Sequence, residues 1–186
     1  MPDAERIILG IDPGTNLLGF GVIRVSGRKP SFVDMGVLDL RKDGGAFAKL
    51  KQIHDTVWEV CKTYRPAEVA MEAPIFRINA QSLIKLSRAQ GAAAIAVMEY
   101  GVEPVEYSPS LAKQAITGNG LASKQQVANV LKSTLGFEMK PEHLDATDAL
   151  AIAMCHFYQT TNPLAGAVGK RGGWDKFIKD HPDRIK

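Results

Sequence analysis

"RIILGIDPGTNLLGFGVIRV", residues 6–25, holds two apolar runs separated by Asp12-Pro13-Gly14. The first run (6–14) reads as a buried strand stopped by a Pro-Gly turn. The second (17–25) follows closely enough to pair with it as an antiparallel hairpin. "SFVDMGVLDL" (31–40) supplies a third strand and is closed by Gly44-Gly45. Beyond it, helices and strands alternate. "AFAKLKQIHDTVWEVCKTY" (46–64) places Phe47, Leu50, Ile53, Val57, Val60 and Cys61 at helical spacing, and Pro66 ends that helix. "AEVAMEAP" (67–74) is a short strand stopped by Pro74.

"NAQSLIKLSRAQGAAAIAVMEYG" (79–101) predicts a long helix with Gly101 as its C-terminal cap. Its second half is apolar nearly all round, so more than one of its faces is covered, by the sheet and by either another helix or a second subunit. "PVEYS" (104–108) is a fifth strand. Ser108-Pro109 then reads as an N-cap with proline at the first helical position. That helix ends at Gly118-Asn119-Gly120, and "SKQQ" (123–126) fits a capping box opening a helix to about Leu135. A last helix is predicted from near Leu144 to about Thr160. The order β-β-β-α-β-α-β-α-α-α predicts an α/β fold: a mixed five-stranded sheet flanked by helices on both faces.

The chain's 186 residues suit one domain, over 1–161. Residues 162–186 are glycine-rich and then basic, without a core pattern, and read as a flexible or loosely docked tail. No apolar run is long enough to span a membrane, and the N-terminus lacks signal-peptide features, so the expected location is the cytoplasm. Cys61 and Cys155 lie in apolar helical patterns with no metal-ligand spacing and read as reduced, buried thiols. The same context makes His156 a packing residue. Net charge is only +3, but its distribution is uneven. Residues 1–76 carry ten basic and ten acidic side chains, and residues 141–186 six of each. Residues 77–140 carry seven basic and four acidic, so the whole excess lies where a polyanion would be met.

Four acids stand out. Asp12 closes the first strand, where an aspartate before Pro-Gly also serves as an ordinary turn former. Glu72 closes an apolar strand, where a carboxylate is expensive to bury alone. If strands one and four are neighbours, both emerge at one sheet edge. Asp145 and Asp148, in "DATDALAIA", lie one helical turn apart at the head of an apolar run. Like charges so placed repel, by roughly 4 kcal/mol for a 4 Å pair at an effective dielectric of 20. A positive group is therefore expected there. Converging oxygens without a basic residue in their own motifs call for hard divalent cations, Mg2+ first, and two ions would clamp a scissile phosphate.

"GIDPGTNLLGFGVI", "MEAPIFRINAQSLIKLSRAQGAA", "KQAITGNGLASKQQV" and "DATDALAIA" together resemble the RuvC-type Holliday junction resolvases, within the RNase H-like (retroviral-integrase-like) nucleases. The resemblance covers about residues 6–160. It implies an RNase H-like domain with a catalytic, metal-binding tetrad on Asp12, Glu72, Asp145 and Asp148. Two Mg2+ ions per active site are implied, with Mn2+ as a possible substitute. It also implies junction-contacting lysines at Lys113 and Lys124, and a homodimer that nicks two strands of a four-way junction symmetrically in recombination and repair. The apolar half of helix 79–101 then becomes the dimer surface, and RuvA-RuvB the branch-migration partner. Where the family carries aromatic residues after its glutamate, this chain has Ile75 and Phe76, either of which is the candidate DNA wedge. His143 is a candidate for proton transfer or, more plainly, a cap or surface histidine.

Three rival readings remain at this level. An actin-like phosphotransferase shares a "GIDPGT"-type motif but needs two related domains, for which the chain is too short. An RNase H-like nuclease acting on another nucleic acid shares the same metal chemistry. A non-catalytic junction binder would not need an intact tetrad.

Overall fold

The computed structural model describes residues 5–41, 45–74, 79–138 and 144–161. Ile75, Phe76, His143 and the tail 162–186 lie outside the described residues. Strands β1 (Arg6–Pro13), β2 (Leu17–Ser26) and β3 (Lys29–Asp39) are followed by α1 (Ala46–Tyr64), β4 (Glu68–Glu72) and α2 (Ala80–Tyr100). The chain continues through β5 (Val105–Tyr107), α3 (Pro109–Thr117), α4 (Lys124–Leu135) and α5 (Thr147–Thr161). The sheet has five strands in the order β3-β2-β1-β4-β5. β1–β2 and β2–β3 pair antiparallel, while β4 pairs parallel to β1 and to β5. The expected mixed sheet is the observed one.

Local chemistry fixes the helix ends. Asn79 accepts a hydrogen bond from the Ser82 backbone N–H at the start of α2, and Gly101 ends that helix in the left-handed region at φ 99°. Ser108 caps α3 ahead of Pro109, and Ser123 and Gln126 form the reciprocal capping box of α4. Each satisfies backbone groups that a helix end leaves open.

Alternation along β1 sends side chains to two cores. Ile8 joins Ile23, Val25 and Met35 under α4 and α5. Leu9 and Ile11 join Val22, Val69 and Met71 under α1 and α2. α5 is buried along almost its whole length, as its apolar composition requires. His156 is indeed buried there, but it is also hydrogen-bonded: Nδ1 lies 2.9 Å from the Tyr107 hydroxyl and Nε2 2.7 Å from Glu68. Arg6 donates to the other oxygen of Glu68 at 2.7 Å, which completes a polar chain away from the acid cluster. Among the described residues no helix is long and apolar enough to cross a membrane.

Candidate active site

β1 and β4 run side by side in parallel, and their last paired residues are Ile11 and Met71. One residue further along come Asp12 and Glu72, so both carboxylates leave the sheet at its C-terminal edge. In open α/β sheets this is the edge where ligands bind. The two acids are half-buried because the strands bearing them are central.

α5 brings the other pair. It lies against the backbone of β1 and β2 because glycine occupies the points of closest approach. A Cβ on Gly10 would stand 2.0 Å from the Ala149 carbonyl oxygen, and one on Gly21 would stand 2.6 Å from the Leu150 Cα. The head of α5 is thereby held over the end of β1. Asp148 occupies the helix's first turn, where the helix dipole favours a carboxylate. Asp145 departs from the expectation. The helix starts at Thr147, not near Leu144, so Asp145 sits in the turn that precedes it. That turn is closed by the Thr147 hydroxyl, which donates to the Leu144 carbonyl at 2.7 Å. The two aspartates therefore converge from a turn and a helix, not from one helix face.

The positive group that their proximity demands is Lys124. Its Nζ lies 2.9 Å from Asp145 Oδ1 and 2.9 Å from Asp148 Oδ2. Sequence reasoning placed Lys124 with the DNA contacts and missed this position. A signal existed: Lys124 is the first residue of α4, where the helix dipole disfavours a cation, so another group must hold it there.

Asp12 and Glu72 feel the charge of neighbouring acids. Burial, and then the charges of Asp148 and Asp145, push the Asp12 carboxyl up to about 6, with Lys124 opposing them. Burial, and then Asp12 and Asp148, push Glu72 up to about 8, against the opposing charges of Lys113 and Lys124. Lys113 thus faces the same cluster from α3. Among the described residues no three His, Cys, Asp or Glu side chains are already gathered around one cation position. The donor set still fits a hard divalent ion. All four groups offer oxygen, two of them resist ionising without a compensating charge, and one ammonium already bridges the other two.

The family of the crossover junction endodeoxyribonuclease RuvC matches residues 8–156. The chain belongs to the RuvC family. It is 48% identical to the crossover junction endodeoxyribonuclease RuvC of Bacteroides fragilis, over 100% of this chain and 98% of that one. Identity to the protein of the same name from Porphyromonas gingivalis is 44%, over the full length of both. Among solved structures, the T. thermophilus RuvC in complex with Holliday junction substrate superposes with a TM-score of 0.74 at 36% identity. That match covers 82% of this chain and 94% of that one. The RuvC-family match spans β1 through most of α5, and so includes all four acids and both lysines.

Proposed function

We propose that this chain is a structure-selective endonuclease that resolves four-way DNA junctions by paired, symmetric nicks in recombination and repair. Asp12, Glu72, Asp145 and Asp148 are its catalytic groups and hold two Mg2+ ions, for which Mn2+ can substitute. Bound there, the ions supply an activated water and a counter-charge for the leaving 3′ oxygen. The observation that carries this reading is the convergence of the four carboxylates at one sheet edge, in a chain of the RuvC family.

The protein's own residues divide the remaining work. Asp12 and Glu72, on adjacent central strands, form the rigid half of the ligand set. Asp145 and Asp148 complete it from above. Lys124, a flexible ammonium with three donors, neutralises that pair in the free protein and contacts a junction phosphate once they are otherwise engaged. Lys113 acts beside it. Outside the cluster, the second half of α2 leaves Ile95 and Met98 exposed at 55% and 61%. Their spacing puts them on one stripe, which supports a homodimer built on α2, as a two-fold substrate requires. The enzyme works in the cytoplasm, with RuvA-RuvB as its branch-migration partner.

A substrate panel tests the reading. With Mg2+, a four-way junction is expected to receive paired nicks. A linear duplex and an RNA–DNA hybrid should remain intact, and chelator should stop all cleavage. Preferential cutting of the hybrid would replace this reading with a different RNase H-like nuclease.

A further inference from the structure

The acid cluster poses an electrostatic problem for its own substrate, since a phosphodiester backbone is repelled by four carboxylates. Lys124 and Lys113 offset this at the cluster itself. The strand must also be held on either side of it. A second feature, used by none of the chemistry above, is lined by the turn that follows Asp12.

A cleft of about 620 Å3 opens between the β1–β2 turn, the start of α1 and the first half of α2. Thr15 and Asn16 form its end nearest the cluster, three and four residues past Asp12. Lys49 enters from α1, and Ser82, Lys85 and Arg88 from α2. None of its lining residues among the described ones is acidic. Among the described residues, no ion pair engages Lys49, Lys85 or Arg88. Elsewhere on α1, by contrast, Lys51 pairs with Asp55 and Lys62 with Glu59. The two helices that border the cleft also lack acidic residues in their first turns. Their positive dipole ends therefore go unneutralised from within. Three cations without an ion pair, in a concavity without a carboxylate among the described residues, repel one another, and an anion removes that cost.

We propose that this cleft binds the phosphodiester backbone of the DNA strand as it leaves the catalytic cluster, with Lys49, Lys85 and Arg88 each facing a phosphate. The occupant is a polyanion and not a small anion, because three separate cations line the cleft and its β1–β2 turn, Thr15 and Asn16, follows Asp12 directly in the chain. Ser82 and Asn16 add neutral hydrogen-bonding groups suited to phosphate oxygens. The inference rests on the nuclease reading above and extends it to a strand-holding site outside the tetrad.

Counterion release gives the test. Each phosphate neutralised contributes about 0.9 to the slope of log K against log salt on duplex DNA. Binding of a fluorescent four-way junction is measured by anisotropy across a salt series, with Ca2+ replacing Mg2+ to suppress cleavage. Lys49→Gln, Lys85→Gln and Arg88→Gln should each reduce the slope by about one unit, and the triple variant by about two to three. Lys62→Gln, on the far end of α1, should change nothing, and Arg88→Lys should retain the wild-type slope. All of these positions are solvent-accessible, so melting curves should coincide with that of the wild type.

Unchanged slopes in the three cleft variants overturn the proposal. So does an equal loss with Lys62→Gln, because diffuse charge would then account for the effect. A wild type that binds junction no better than linear duplex counts against the junction reading instead. The slope comparison, repeated on that duplex, still decides the cleft.

Discussion

Glu72 shows how a single residue points to a candidate site. It ends a strand whose preceding residues Val69, Ala70 and Met71 are all buried, and burial together with Asp12 and Asp148 disfavours its charge. A group in that position destabilises the metal-free fold at neutral pH. Glu72→Gln is therefore expected to melt at a higher temperature than wild type in chelator, and to lose most of the wild type's thermal gain when Mg2+ is added. Differential scanning fluorimetry with and without Mg2+ checks both. A variant that melts lower in chelator, or that gains as much from Mg2+, contradicts the assigned role. Glu72 was legible in the sequence because a carboxylate among buried apolar residues needs a reason. Lys124 was not. It meets Asp145 across 21 positions of chain, and no local pattern encodes a contact at that range. His156 was legible as buried but not as bonded, since its partners Tyr107 and Glu68 come from two other strands.

At the level of elements, turn chemistry and period located nearly every helix and strand, because caps, prolines and apolar spacing act locally. The head of α5 was the exception. The apolar run and its aspartates read as one helix, but the Thr147–Leu144 turn delays the start and leaves Asp145 outside. The contact that seats α5 was also hidden. A glycine within a strand pattern reads as weakness, and only the packed structure shows Gly10 making room for Ala149. Gly10→Ala would set its methyl group 2.0 Å from a backbone oxygen that a side-chain rotation cannot move. The helix must shift, and Asp148 with it. We expect a loss of about 1–3 kcal/mol in stability by denaturant titration. Junction cleavage should fall by a larger factor than the unfolded fraction explains, when assayed where the variant remains folded. Cleavage that tracks the folded fraction alone would show that the helix position does not control the site.

Taken as a whole, the molecule divides its sheet between two tasks. The antiparallel strands β2 and β3 extend the sheet on one side of β1, while the parallel strands β1 and β4 direct acids toward one edge. Helices pack on both faces of the sheet. The five-stranded order followed from the hairpin at residues 6–25 and the helix-linked strands after it, so the convergence of Asp12 with Glu72 was legible once the two strands were taken as neighbours. The basic cleft beside it was not, since Lys49 lies in a segment of balanced charge and joins Lys85 and Arg88 only through the packing of α1 on α2. The central claim is that the four carboxylates perform the chemistry without being needed to hold the DNA. Asp148→Asn preserves side-chain shape while removing one ligand charge. The direct measurement is single-turnover nicking of a four-way junction by this variant with Mg2+, paired with junction affinity in Ca2+. The account predicts nicking slower by orders of magnitude with affinity retained or tightened, and near-normal nicking by Asp148→Asn would contradict it.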